Sequence, residues 1–143
     1  MSGILKISEA AVLALHAMMF IANHTDHMVS TREIASVHHA SEAHLSKVMQ
    51  RLVKAGYINS IRGPKGGFEL RKETGSITLL ELYELFEGPI ELKNCLIGFP
   101  VCDGKMCIFG DLLGELNRLV INYLTNTKLS DVTRKTSASL DSI

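Results

Sequence analysis

Three features of this 143-residue chain predict a mainly α-helical fold with a small β-hairpin wing: a winged helix-turn-helix plus a long C-terminal dimerisation helix. A short helix capped at Ser30 precedes a longer one opened by Ser41, and a glycine-rich hairpin follows that pair directly. A second apolar helical stripe runs from Leu112 to Leu124. Between them lies every thiol of the protein, Cys95, Cys102 and Cys107, within thirteen residues.

The first helix is expected over Ile4–Asn23, where Ser8 can cap and Glu9 suits the positive end. From Ala11 to Ala22 it is apolar nearly all round, which predicts burial on several sides, including against a partner chain. His16 falls on that helix and is expected to be a satisfied core residue. Ser30, with Glu33 three residues on, has capping-box spacing and opens a short helix with Ile34, Ala35, Val37 and His38 towards the core. The helix from Ser41 through Lys54 repeats Leu45, Val48, Met49 and Leu52 at three and four residues, giving one buried stripe. Gly56 is a plausible stop.

From Tyr57 the period changes. Tyr57–Arg62 and Gly66–Leu70 are expected to pair as strands around the turn-rich tip Gly63-Pro64-Lys65-Gly66. Gly75-Ser76 is the expected joint, and Thr78 caps a helix over Leu79–Glu87 that Gly88-Pro89 ends. The last helix is expected over Cys107–Asn126, with a stripe too long for a small core, so it should pack on a second subunit. The division expected is a DNA-binding unit over 1–75, a cysteine loop and dimerisation helix over 76–128, and a flexible tail over 129–143.

The hydrophobic fraction of 46% and charged fraction of 21% are those of an ordinary globular domain. The formal charge of zero conceals an asymmetry. Residues 1–72 carry nine Lys/Arg against five Asp/Glu, and residues 73–143 carry six against ten. The first part can therefore face a polyanion while the second does not. No stretch is long enough to cross a bilayer and no secretory lead is visible, so no membrane role is expected and the cytoplasm is the expected compartment. An odd number of thiols argues against a disulfide framework.

The helix opened by Ser41 would enter the major groove, where base edges are distinguishable. Its candidate surface is Ser41, His44, Ser46, Lys47, Gln50 and Arg51. Arg51 can pair with guanine, Gln50 with adenine, and Lys47 suits phosphate. The tip Arg62, Gly63, Pro64, Lys65 and Gly66 would reach the adjacent minor groove or backbone. Taken singly, each is equally an ordinary solvated face or hairpin; their order is what points to DNA. The cysteines have spacing C-x6-C-x4-C, without the close pair of a zinc ribbon. Thiolates in a loop also suit an iron–sulfur cluster, and the plain alternative is three unrelated free thiols. All six histidines precede residue 45, and the adjacent His38 and His39 point to different faces, as surface or packing residues.

Together these residues resemble the Rrf-type winged-helix transcription regulators, and in particular their iron–sulfur branch. The resemblance spans roughly Leu5 to Val132 and rests on the wing Ile61–Leu70, the segment Ile77–Pro89, and three cysteines before a long helix. It implies a homodimer on a pseudo-palindromic site of double-stranded DNA, with Cys95, Cys102 and Cys107 as thiolate ligands. One ligand pattern of that branch has a histidine three residues after the last cysteine, where this chain has Gly110. Another takes an aspartate early in the first helix of the other subunit, and Glu9 is the candidate at the matching position. The cysteine gaps are six and four, where five and five is more usual. Three thiolates and a carboxylate favour [4Fe–4S] over [2Fe–2S], so the expected function is DNA binding set by a cluster that senses redox, nitric oxide or iron–sulfur status.

The alternative on the same frame is a metal-free switch in which the thiols form a reversible disulfide. A further alternative is a DNA-binding protein that uses the loop only for packing. An enzyme is not expected: there is no glycine-rich phosphate loop, nucleophile–base pairing or carboxylate pair with a pocket signature.

Overall fold

Helix α1 (Glu9–Asn23) is the element on which most of the others pack. The computed structural model describes residues 7–91, 95 and 107–133. After α1 come α2 (Thr31–His38), α3 (Glu42–Lys54), β1 (Ile58–Ile61), β2 (Gly67–Leu70), a 3-10 turn at Thr74–Ser76, α4 (Leu79–Glu87) and α5 (Leu112–Asn126). This is the helical winged-helix architecture that the sequence predicts.

Helix α1 begins at Glu9 rather than before Ser8. Ser8 is extended (φ −63°, ψ 152°) and its hydroxyl accepts from the Ala11 amide, so it caps the helix and cannot lie within it. Only one face of α1 is deeply buried, through Ala11, Leu13, Ala14, Ala17, Met18 and Ile21. His16 lies on the other face and is exposed, against the expectation of a core histidine. Its ring stands 5.1 Å from that of His38 on α2. Val37, expected inside, is 56% exposed, because an eight-residue helix turns only Ile34 and Ala35 fully to the core.

Ser30 and Glu33 form the capping box on α2: each side chain accepts from the other residue's amide, at 3.1 Å both ways. Thr78 and Glu81 repeat the device on α4. Helix α3 buries Leu45, Val48, Met49 and Leu52 as one stripe. Gly56, just past its end, has φ 85°, which few residues other than glycine adopt. Tyr57 then tethers this exit to α4, its hydroxyl donating to Glu81 at 2.9 Å. Burial, with the carboxylate second, pushes the Tyr57 hydroxyl pKa up to about 12.

The hairpin pairs Ile58 with Leu70 through to Ile61 with Gly67. Val29 adds a bridge to Phe68, exchanging hydrogen bonds of 3.0 and 2.7 Å, so the wing is anchored to the segment entering α2. Two glycines make these approaches sterically feasible. A Cβ at Gly66 would lie 2.0 Å from the Ile61 carbonyl oxygen, and one at Gly67 would lie 2.7 Å from that of Val29.

Ile77, Leu82 and Leu129 join the same buried cluster as Met18, Leu45 and Leu52. The end of α5 is held to the start of α4 by two backbone bonds, Leu79 to Thr127 and Leu129 to Ile77. Leu129 was expected to open a tail; it is fully buried and residues 129–133 form a helical turn. Residues 134–143 lie outside the described residues. Helix α5 starts at Leu112, five residues later than expected. Gly110 (φ 55°) closes a turn onto Cys107, and Leu112 closes the next onto Phe109.

Candidate nucleic-acid interface and cysteine loop

At 100° per residue, the side chains of α3 divide into a buried stripe, two flanks and an outer face. One flank and part of the outer face meet the wing. Ser46, Gln50, Val53 and Lys54 line a cleft of about 330 Å³ with Ser60, Arg62 and Phe68 of the hairpin and Thr31 of α2. Lys47 is exposed on the outer face. Arg62, Gly63, Pro64 and Lys65 form an exposed tip, and Gly66, half-buried, donates its amide back to Gly63 at 3.0 Å.

Ser46, Gln50 and Arg62 of the expected surface are thus brought together. Thr31, Lys54 and Ser60 complete the cleft and were missed. Lys54 could have been found by helix period, lying four residues beyond Gln50 and eight beyond Ser46; Ser60 shares a strand face with Arg62.

His44 and Arg51 lie on the opposite flank of α3. The Arg51 guanidinium donates to the Leu85 carbonyl and stacks 4.5 Å from the Phe86 ring centroid, both at the end of α4. His44 Nδ1 lies 3.7 Å from Glu9 Oε1 at the start of α1. Beside them the Ser8 amide donates to Glu87 Oε1 at 2.7 Å. Ser41 spends its hydroxyl as the α3 cap, accepting from the His44 amide.

A histidine network supports the approach to α2. His27 bridges Asp26 (3.0 Å) and Glu33 (2.9 Å). Hydrogen bonding to Glu33 first, then to Asp26, raises its pKa. Burial first, and then the neighbouring His16 and His39, lowers that of His38, whose Nε2 is buried with no hydrogen-bond partner.

Cys95 and Cys107 are both exposed and neither is in a disulfide. Cys102 lies outside the described residues. Among the described residues no group of three or more His, Cys, Asp or Glu side chains is arranged to hold a metal ion. The two described thiols, Cys95 and Cys107, are exposed soft donors of a type that suits an iron–sulfur group. Gly110 offers no side-chain ligand. Beyond the loop, α5 has no buried residue; Leu112, Leu119 and Tyr123 are 47%, 65% and 52% exposed, and Ile108 before it is 94% exposed. Among the described residues no helix is long and apolar enough to cross a membrane.

A helix-turn-helix whose second helix shares a cleft with a basic-tipped wing defines a winged-helix DNA-binding regulator. The chain belongs to the Rrf2 family, described as an iron-dependent transcriptional regulator, which it matches over residues 7–135. It is 33% identical over 128 residues to an HTH-type transcriptional regulator of Aquifex aeolicus, covering 87% of this chain and 89% of that protein. To the HTH-type transcriptional regulator NsrR of Bacillus licheniformis it is 29% identical over 124 residues, 84% of each chain. Among solved structures it is similar to CymR, the global cysteine regulator of B. subtilis, with a TM-score of 0.74 at 28% identity over 92% of this chain and 98% of that one. The oxidised form of Staphylococcus aureus CymR gives 0.71 at 25% identity, over 90% and 96%. The protein is accordingly a DNA-binding transcription regulator.

Proposed function

We propose that this regulator binds a pseudo-palindromic duplex as a homodimer, with an affinity set by an iron–sulfur cluster held on the cysteine loop. The observation that carries the DNA-binding face is the cleft joining α3 to the wing. Ser46, Gln50 and Lys54 line it from α3 and Arg62 from the hairpin, with Lys47 and Lys65 exposed nearby. Gln50 reads a base edge, while Lys47, Lys54, Arg62 and Lys65 neutralise phosphates. Dimerisation uses α5, since its exposed apolar stripe is what a two-helix seam requires.

Cys95, Cys102 and Cys107 hold the cluster, with Glu9 of the other protomer as fourth ligand, a set that favours [4Fe–4S]. The three thiolates would hold iron in a form sensitive to oxidants, nitric oxide or iron supply. The family description and the likeness to NsrR support this reading. The second reading, a metal-free disulfide switch, is favoured by the likeness to CymR and the exposure of Cys95 and Cys107.

The test uses a duplex selected by the protein from a random-sequence pool. Its affinity is measured for protein reconstituted anaerobically with iron and sulfide, and for the same protein stripped by chelator. A difference of about tenfold or more supports metal control, being within the usual range of allosteric coupling. Equal affinities with a difference only after thiol oxidation would transfer the function to the disulfide.

A further inference from the structure

Arg51 was expected to face DNA, yet its guanidinium is committed elsewhere. It donates to the Leu85 carbonyl and sits over the Phe86 ring, 4.5 Å from its centroid, binding α3 to the last turn of α4. That turn is the exit towards the cysteines. Gly88 (φ 80°) ends α4, the Ile90 amide donates back to Glu84 Oε1, and Cys95 follows Gly88 by seven residues. The same turn is tied to the start of α1, where the Ser8 amide donates to Glu87 and Glu9 lies beside His44 of α3. Three elements therefore meet at one polar junction between the DNA-reading helix and the chain leading to the thiols.

We infer that Arg51 is a positioning residue: it transmits the state of the cysteine loop to α3 through the end of α4, and is not a reader of bases. This rests on the reading that the loop senses. A guanidinium suits the task, because its planar fork can donate to a fixed carbonyl while its face stacks on an aromatic ring. A lysine in its place keeps the charge but loses the fork and the stacked plane. Any displacement of the α4 exit then moves Leu85 and Phe86 without carrying α3 with them.

The experiment compares wild type, Arg51→Lys and Phe86→Leu, each as the full chain, reconstituted with iron and sulfide or stripped by chelator. Hydrogen exchange is followed on the peptide spanning Glu42–Lys54, and affinity on the duplex selected by wild type. In wild type, both the α3 exchange rates and the affinity should differ between the two states. In both variants the affinity ratio should fall to within about twofold of unity, against the roughly 5- to 150-fold of ordinary coupling, and the α3 exchange difference should vanish. Phe86→Leu is informative because it leaves every charge on α3 in place. If Arg51→Lys and Phe86→Leu keep the wild-type ratio, the strut is wrong; if Arg51→Lys lowers affinity equally in both states, Arg51 is a DNA contact. A wild type that shows no difference between states would overturn the sensing reading itself, and the strut with it.

Discussion

On the proposed DNA-binding face, Gln50 and Lys65 would supply different recognition chemistry. The Gln50 amide can donate and accept at once, which matches an adenine edge, whereas Lys65 is a point charge at the wing tip that matches phosphate. Gln50→Ala should therefore cost about 1–3 kcal/mol on the selected duplex and little on unrelated DNA. Lys65→Gln should weaken all duplexes and flatten the slope of log K against log salt by about 0.9. Equal losses for Gln50→Ala on both kinds of DNA would show that it touches only the backbone. At the same scale, His27 makes stability depend on pH. Its pKa is raised in the fold by Glu33 and Asp26, with His24 as the neighbouring ring. The stability it adds is thus complete below the ordinary histidine value of about 6.5 and is lost as pH rises through the raised value. His38 acts with the opposite sign: its pKa is lowered, so its contribution stands above about pH 6.5 and is lost as pH falls. The melting-temperature deficit of His27→Gln should accordingly shrink between about pH 5 and pH 8. A deficit constant over that range would mean that the ion pairs add nothing.

At the scale of elements, the starts of α2, α3 and α4 are set by local capping chemistry, and this is why they were legible. The box at Ser30–Glu33 is complete in the structure, as its three-residue spacing predicts, and Thr78, expected only as a cap, forms a second box with Glu81. Thr78→Ala should cost about 1 kcal/mol in a denaturant titration, with no change in far-ultraviolet helix content beyond the first turn of α4. No loss would mean that Glu81 alone carries the α4 start. The α3 stripe and the hairpin were equally legible, because a period of 3.6 or of 2 records which side faces the core. What period cannot record is which neighbour covers each flank. Arg51 and Gln50 are adjacent and both polar, yet one meets α4 and the other the wing cleft. Leu85 is 34 residues from Arg51, and no local pattern announces that contact. The same limit explains His16: an all-apolar helix does not say which side remains open. The α5 start was misplaced because one glycine, Gly110, in a left-handed turn outweighs the apolar residues around it.

At the scale of the whole molecule, two surfaces carry the proposal: the α3–wing cleft and the exposed α5 stripe. Leu119→Glu places a charge in the middle of that stripe, at a position 65% exposed in a single chain. It should convert the proposed dimer to monomer in sedimentation equilibrium while leaving helix content intact; a monomeric wild type, or a dimeric variant, would rule out α5 as the interface. The DNA-binding half of the account follows from fold and family together. The sensing half depends on the chemistry of Cys95, Cys102, Cys107 and Glu9, of which Cys102 lies outside the described residues. One measurement tests that claim most directly: iron and acid-labile sulfide analysis, with the visible spectrum, on wild type and Cys102→Ala purified without oxygen. Matched iron and sulfide with a visible band are expected in wild type, and their loss in a Cys102→Ala protein that remains folded. Neither iron nor sulfide in wild type, even after anaerobic reconstitution, would contradict it.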